Sequence, residues 1–436
     1  MPGSQLQRIE HGEWRAVTLS FVWFFCVLAA YYVIRPVREQ LAAAVGSTQL
    51  PLFYAATFIA TLALTPVFAW LAARYARRVV VPLVYGFFIA CLIGFVPLFT
   101  AQGMLSPRAL GIVFFVWVSV FNLFVVSVFW SFMADVWSDT QARRLFPIIA
   151  LGGTAGAIAG PLLTRQLVSV LGVAPLLAVS AGLLGIALVC VAVLGRWARA
   201  NDAGREEGRQ GKAIGGGMFD GLKQIFADPF MRGMAVLMLL GDCIGTVAYA
   251  LVADYSGMTF ADPVARTRFA ANIDLATNVL QIAVQVTLTR WMLMRYGAGP
   301  VIAGWSIAGI AVLIGLMMSA DPHAPVLAGL PWVALALIVT RGLAYGMVLP
   351  ARESLYTRVP RSLRYKGKNA VDTAVWRFGD LGVALGMNAL RTVNVGIAGF
   401  GAIGAAALGI GGVVGWRLAR QVEHPDPVAV GAHPAA

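Results

Sequence analysis

The sequence predicts an all-α integral membrane protein of twelve transmembrane helices, arranged as two halves of six. Three observations carry this. Hydrophobic residues make up 59% of the chain and charged residues only 12%, about half the charge fraction of a soluble domain. Apolar runs of roughly twenty residues, enough for a helix to cross the hydrocarbon core of a bilayer, recur along the whole length. A hydrophilic stretch, 196–229, rich in Gly, Arg, Glu and Lys, separates six such runs from six more.

Taken in order, the first half (1–195) holds spans near 16–45, 50–73, 79–100, 109–134, 145–171 and 173–195. The second half (230–420) holds spans near 230–254, 267–290, 299–319, 325–349, 370–392 and 394–417. The tail, 421–436, with its prolines and alanines, reads as disordered. A polar segment precedes the first run, which is long enough to span by itself, so no cleavable signal peptide is expected. The net charge of +13 points at first to nucleic acid, but the cations lie in short loops beside apolar spans. One side collects Arg8, Arg15, Arg74, Arg77, Arg78, Arg143, Arg144, the linker cations, Arg290, Arg295, the cluster Arg352 to Lys368, Arg417 and Arg420. The other keeps few, such as Arg108, Arg266 and Arg268. The excess of cations faces the cytoplasm, so both termini are expected inside a plasma membrane of the bacterial inner type. The expected partners are the lipid bilayer and a small anionic substrate, with no nucleic acid.

Internal repetition supports the two halves. Trp70-Leu-Ala-Ala-Arg74-Tyr75-Ala76 recurs as Trp291-Met-Leu-Met-Arg295-Tyr296-Gly297 at an offset of 221, as parallel repeats require. A weaker echo relates Gly153, Gly156 and Gly160 to Gly379, Gly382 and Gly386, at an offset of 226.

The chemistry starts at the far end of the first span. Val17 to Ile34 carries no charge, and Tyr31, Arg35, Arg38 and Glu39 then follow at helical spacing, so they share one face. A helix continuing past Pro36 would hold two arginines and a glutamate inside the membrane, where charged residues line a site or a watery path. The bland alternative is a span ending at Arg35, its charges snorkelling to the headgroups. In span eight, Asp274, Asn278, Gln281 and Gln285 are spaced four, three and four apart, one polar stripe that lines a cavity or bonds helices together. In span eleven, Asp372, Trp376 and Asp380 share a face, and Arg377 sits one turn from Asp380. Arg341 with Tyr345 and Asp242 are further intramembrane candidates, while Asp254 reads as interfacial. The aromatics of span four (Phe114, Phe115, Trp117, Phe121, Phe124, Phe129, Trp130, Phe132) read chiefly as packing, with stacking on a planar ligand as the alternative. The four cysteines fall one per span and read as small buried hydrophobes. No phosphate loop, metal-spaced His set or Ser/His/Asp arrangement is present, so neither an enzyme nor a cofactor or metal requirement is expected.

Two resemblances follow from these residues. Ala69-Trp-Leu-Ala-Ala-Arg74-Tyr75-Ala76-Arg77-Arg78 resembles the loop signature of the major facilitator superfamily, with its glycines and aspartate replaced by alanine. Arg74, and Arg295 through the repeat, are by that likeness gating or coupling candidates. Arg35-Pro36-Val37-Arg38-Glu39, Phe129-Trp130 through Asp135 with Arg143-Arg144-Leu-Phe146-Pro147, and Lys366-Gly367-Lys368-Asn369-Ala-Val-Asp372 with Arg377-Phe378-Gly379 resemble the ATP/ADP carrier family of nucleotide exchangers. The resemblance implies phosphate contact by Arg35, Arg38, Lys366 and Lys368, and exchange or gating roles for carboxylates such as Asp135. Pro36 and Arg38 replace an acid and a lysine of that family's pattern.

The expectation is thus a major-facilitator-type secondary transporter of an organic anion, a nucleotide or other organic phosphate first, working by alternating access. Its substrate would meet Arg35, Arg38, Glu39, Asp274, Asn278, Gln281, Arg341, Lys366, Lys368 and Arg377. Asp135, Asp372, Asp380, Arg74 and Arg295 would gate or couple. The alternatives are a proton-coupled exporter of drugs or metabolites and, in another class, a non-transporting membrane scaffold or sensor.

Overall fold

In the computed structural model the described residues are 13–75, 77–100, 105–201, 226–357, 371 and 375–423. Ten helical segments among them are long and apolar enough to cross a membrane. Two further helices, Pro263–Val284 and Trp376–Thr392, carry the polar stripes that dilute their hydropathy, and with them the described residues are compatible with twelve spans. The chain forms two compact units: Met1–Gly46, Ala55–Gln210 and Ser256–Leu275 make one, and Ser47–Tyr54, Gly211–Tyr255 and Ala276–Ala436 the other.

The first unit is organised around α1 (Trp14–Val45). Pro36 lies inside this helix, so the helix runs on past Arg35 and does not end there. Helices α2 (Leu50–Arg74), α3 (Arg77–Thr100), α4 (Pro107–Val136), α5 (Asp139–Leu171) and α6 (Pro175–Asn201) follow. Ser138 starts α5 with a reciprocal cap involving Gln141, so this helix begins six residues before the expected 145. Beyond the cap, glycines let α5 lie directly on α1. A methyl group at Gly156 would stand 2.9 Å from the Ala29 amide nitrogen, and one at Gly160 would stand 2.5 Å from Tyr32 Cβ. This is small-residue packing of the kind that drives helix association in lipid. Hydroxyls complete the seam, Thr164 donating to the Val33 carbonyl at 3.1 Å and Ser180 of α6 to the Ala30 carbonyl at 2.9 Å.

The aromatics of α4 pack the core of this unit. Trp23 is fully buried, donates to the Tyr85 hydroxyl at 3.1 Å and meets Phe129 and Phe132 edge-on at 5.0 and 5.1 Å. Tyr85 in turn donates to the Val125 carbonyl at 3.1 Å. Phe114, Phe121 and Phe129 have no exposed surface, so of the two readings of span four, packing is the one these rings fulfil.

The second unit contains α7 (Pro229–Thr259), most of it by length, and α8 (Pro263–Val284), which enters it at Ala276. A π-helical turn, Gln285–Thr289, carries α8 on through Arg290–Tyr296. Helix α9 (Ala298–Met318) and α12 (Ile397–Glu423) pack closely, with Ser306 donating to the Leu408 carbonyl at 2.7 Å. Glu423, at the end of α12, accepts from the Ala298 amide at 3.0 Å, a carboxylate set at the electropositive start of a helix. Span ten departs from expectation. Residues 325–331 form a short antiparallel hairpin, Pro325–Leu327 with Leu330–Pro331, turned at Ala328 and Gly329, both with positive φ. Helix α10 therefore starts at Trp332, passes through a second π-helical turn, Ala344–Val348, and ends at Tyr356. Apolar composition alone could not reveal that the prolines had taken the first residues out of the helix. Helix α11 is Trp376–Thr392.

The stronger sequence repeat has a structural counterpart. Trp70 meets Tyr75 edge-on at 6.0 Å and 83°, and Trp291 meets Tyr296 at 5.4 Å and 83°. The glycine echo is matched only at its first position, where Gly379, like Gly153, leaves no room for a methyl group. A side chain at Gly382 or Gly386 would meet nothing within 4 Å, whereas Gly156 and Gly160 are pressed against α1.

Accordingly Gly156→Ala should lower stability by about 3 kcal/mol, because the added methyl meets backbone that cannot repack. Gly386→Ala should change it by less than ~0.5 kcal/mol. Thermal midpoints in detergent measure both, and equal losses would contradict the glycine seam.

Candidate functional site

The site begins with Arg35, which α1 carries into the interior because Pro36 does not end the helix. Only 5% of Arg35 is exposed. Its Nε stands 3.6 Å from Glu39, one turn on, and its Nη2 stands 3.4 Å from Asp274 of α8. Its guanidinium lies 5.4 Å from the Tyr32 ring centroid. Arg38 pairs with Glu39 as well, stacks over Phe115 at 4.7 Å and reaches the Ser119 hydroxyl at 3.5 Å. Ser119 is itself fixed by donating to the Phe115 carbonyl at 2.9 Å. Two arginines and two carboxylates thus meet in one group, and the shared face expected of Arg35, Arg38 and Glu39 is the face they occupy.

The ion pairs of Arg35 are loose compared with others in the same protein. Arg144 donates to both oxygens of Glu13 at 2.7 and 2.6 Å, and Arg391 to Asp254 at 2.7 Å. Those are charge-assisted hydrogen bonds of full strength. At 3.4 and 3.6 Å the Arg35 contacts keep the Coulomb attraction and forgo most of the bonding. Its Nε makes no hydrogen bond at all. A buried guanidinium with an unbonded donor is expensive to maintain.

Asp274 and Asn278 are each 5% exposed. Gln281 is half-buried and Gln285 exposed. The polar stripe is thus buried at Asp274 and Asn278 and emerges by Gln285, the first residue of the π-helical turn.

A second polar group lies within the other unit. Thr246 of α7 donates to Asp380 of α11 at 3.0 Å, and Arg377 stands 4.0 Å from the same carboxylate. Asp242 faces Asp380 and Trp376, and Arg341 contributes its field at Asp380. Gly379 makes room for this arrangement, because a methyl there would stand 2.7 Å from Asp242 Oδ2. Arg341 lies 5.9 Å from the Tyr345 ring.

The remaining candidates lie elsewhere. Arg74, Arg295 and Asp135 are exposed, and Arg295 sits over Tyr296 at 5.6 Å. Lys366, Lys368 and Asp372 fall outside the described residues. No group of His, Cys, Asp and Glu fit to hold a metal occurs among the described residues. Sequence reading did not find the network that ties the α1–α2 turn to α7 and α11. Ser47 bonds Asp254 through its amide at 3.0 Å and its hydroxyl at 2.7 Å. Arg391 bonds Ser47 at 2.7 Å, and Asn388 bonds the Thr48 carbonyl at 2.8 Å. Asp254 and Arg391, each near the end of a span, were the only signal available.

The Major Facilitator Superfamily model matches residues 21–367. Similar solved structures include the nucleoside transporter NupG, at 14% identity and TM-score 0.63, covering 98% of this chain and 100% of that one. The xylose transporter XylE from E. coli, inward open, is 14% identical with TM-score 0.58, covering 91% and 95%. A bacterial homologue of the iron transporter ferroportin, inward-facing, is 13% identical with TM-score 0.64, covering 93% and 99%. No curated protein matches the sequence.

A double-mutant cycle over Arg391→Ala and Asp254→Ala should give a coupling of about 1 kcal/mol, since both side chains are partly exposed and screened. Unfolding in detergent measures it, and a coupling near zero would show the network to be incidental.

Proposed function

The chain belongs to the Major Facilitator Superfamily and is a membrane transporter, and from that premise we propose that it carries an organic anion by alternating access. A nucleotide or another organic phosphate is the first choice, moved in exchange for a second anion. The observation that carries this reading is Arg35, buried to 5% exposure with its Nε unbonded and its carboxylates beyond good hydrogen-bond distance. Planar guanidinium forks match phosphate oxygens two at a time. Arg38 stands one helical turn away, held in place by Phe115 and Ser119, and supplies the second fork. The likeness of Arg35-Pro36-Val37-Arg38-Glu39 to the nucleotide exchangers supports the same choice.

Further roles belong to the same proposal. Lys366 and Lys368 add cations to the phosphate path. Asn278, Gln281 and Arg341 line it. Asp135, Asp372, Arg74 and Arg295 serve gating. The halves 1–195 and 230–420, joined by 196–229 with the tail beyond 420, are the moving parts, in an inner-type plasma membrane with both termini cytoplasmic. A second reading, proton coupling, is favoured by one observation. Asp242 and Asp380 face each other beside Thr246 and Arg377, and neighbouring buried carboxylates readily share a proton. Arg377 and Thr246 would then set which of the two holds it.

Uptake of radiolabelled ATP into proteoliposomes tests the first reading. Uptake should require internal ADP and fall at least tenfold in Arg35→Ala and in Arg38→Lys, because lysine keeps the charge and loses the fork. Uptake that survives both substitutions, or none by folded wild type, would end the nucleotide assignment. Neutralising Asp380 should then be tried against a pH gradient.

A further inference from the structure

The chain leaves α1 at Gly46, whose positive φ of 93° is a conformation that glycine adopts without strain. It then makes one 3-10 turn, Ser47–Gln49, before α2 begins at Leu50. The stretch Ser47–Tyr54 belongs to the second compact unit, although Gly46 before it and Ala55 after it belong to the first. We propose that this stretch is a releasable strap, fastened to α7 and α11 in this conformation and let go once in each transport cycle. The inference rests on the alternating-access reading above and names an element that has to unfasten for it.

Helix α2 dictates the release. It runs unbroken from Leu50 to Arg74, and residues 55–74 lie in the first unit. Between Pro51 and Pro66 it contains neither proline nor glycine, the residues at which helices bend. A helix without a joint moves with the unit that holds most of it. When one half of a transporter rocks against the other, the first turn of α2 therefore goes with the first unit, and its bonds to α7 and α11 have to part. Those bonds are placed so that parting strands no charge. Ser47 donates to Asp254 through its amide at 3.0 Å and its hydroxyl at 2.7 Å, and its hydroxyl accepts from Arg391 at 2.7 Å. Asn388 donates to the Thr48 carbonyl at 2.8 Å. The strap contributes only neutral groups to these bonds. The ion pair of Arg391 with Asp254, at 2.7 Å, includes no strap residue and outlasts the release. Its side chains are 24% and 30% exposed, so water can take over the vacated bonds at small cost. Leu50 and Phe53, buried one turn apart, seat the strap by apolar contact when it refastens.

Thiol labelling of the full chain in proteoliposomes tests this without a substrate. In an otherwise cysteine-free chain, Leu50→Cys should react with a water-soluble methanethiosulfonate about tenfold or more faster than a chain keeping Cys26 alone, which is also buried but has no strap to lift. Adding Ser47→Ala or Asn388→Ala should speed the Leu50→Cys reaction about threefold or more, through the lost bonds, and leave that of Cys26 unchanged. Labelling of Leu50→Cys no faster than that of Cys26 would overturn the strap. A lock separates release during transport from local fraying. A short bis-methanethiosulfonate joining Thr48→Cys to Asn388→Cys should stop uptake of radiolabelled ATP, and reduction should restore it, while each single-cysteine form treated alike keeps transporting. Undiminished uptake by the cross-linked protein would refute release. No ATP uptake by folded wild type would end the nucleotide assignment instead, and the labelling rates would then decide the strap by themselves.

Discussion

A guanidinium held inside an apolar helix bundle sets terms for everything near it. Arg35 cannot be left unpaired there, and it cannot reach water through a helix end, because Pro36 does not end α1, which continues to Val45. The surrounding structure answers in two ways. Glycines of α5 and hydroxyls of Thr164 and Ser180 fix the backbone of α1 just ahead of Arg35. Carboxylates of Glu39 and Asp274 then supply the charge. The first device makes the position rigid, and the second leaves it incompletely satisfied. A rigid cation with an unused donor suits an anion site, since binding energy is not then spent on ordering the protein.

The ion pairs differ in how closely they are bonded. Glu13 with Arg144, and Asp254 with Ser47 and Arg391, close to 2.6–3.0 Å and hold helix ends or turns in place. Arg35, and Arg377 at 4.0 Å from Asp380, keep their partners at arm's length. The two loose groups occupy one compact unit each: one joins Arg35 and Arg38 to Glu39 and Asp274, and the other sets Asp242 beside Asp380 and Arg377.

Much of this was legible in the sequence, and the reasons are physical. Apolar runs announce helices because lipid leaves no other home for the backbone, and the Trp–Arg–Tyr repeat survives as matched ring pairs because it closes both helices in the same way. The shared face of Arg35, Arg38 and Glu39 follows from helical spacing alone. What composition hides is anything set by a few special residues or by distant partners. The hairpin at 325–331 hides within an apolar run, and the π-helical turn at Gln285 breaks a stripe that regular spacing would continue. The pairing of Arg35 with Asp274 joins residues far apart in the chain, and nothing local to either foretells it. Lys366, Lys368 and Asp372 lie outside the described residues, so their part rests on likeness to the nucleotide exchangers.

The central claim is that Arg35 and Arg38 hold the substrate's phosphate. A cryo-EM structure of the protein with ATP tests it most directly. The account predicts phosphate density within ~3 Å of both guanidinium groups. Nucleotide density away from both arginines would contradict it.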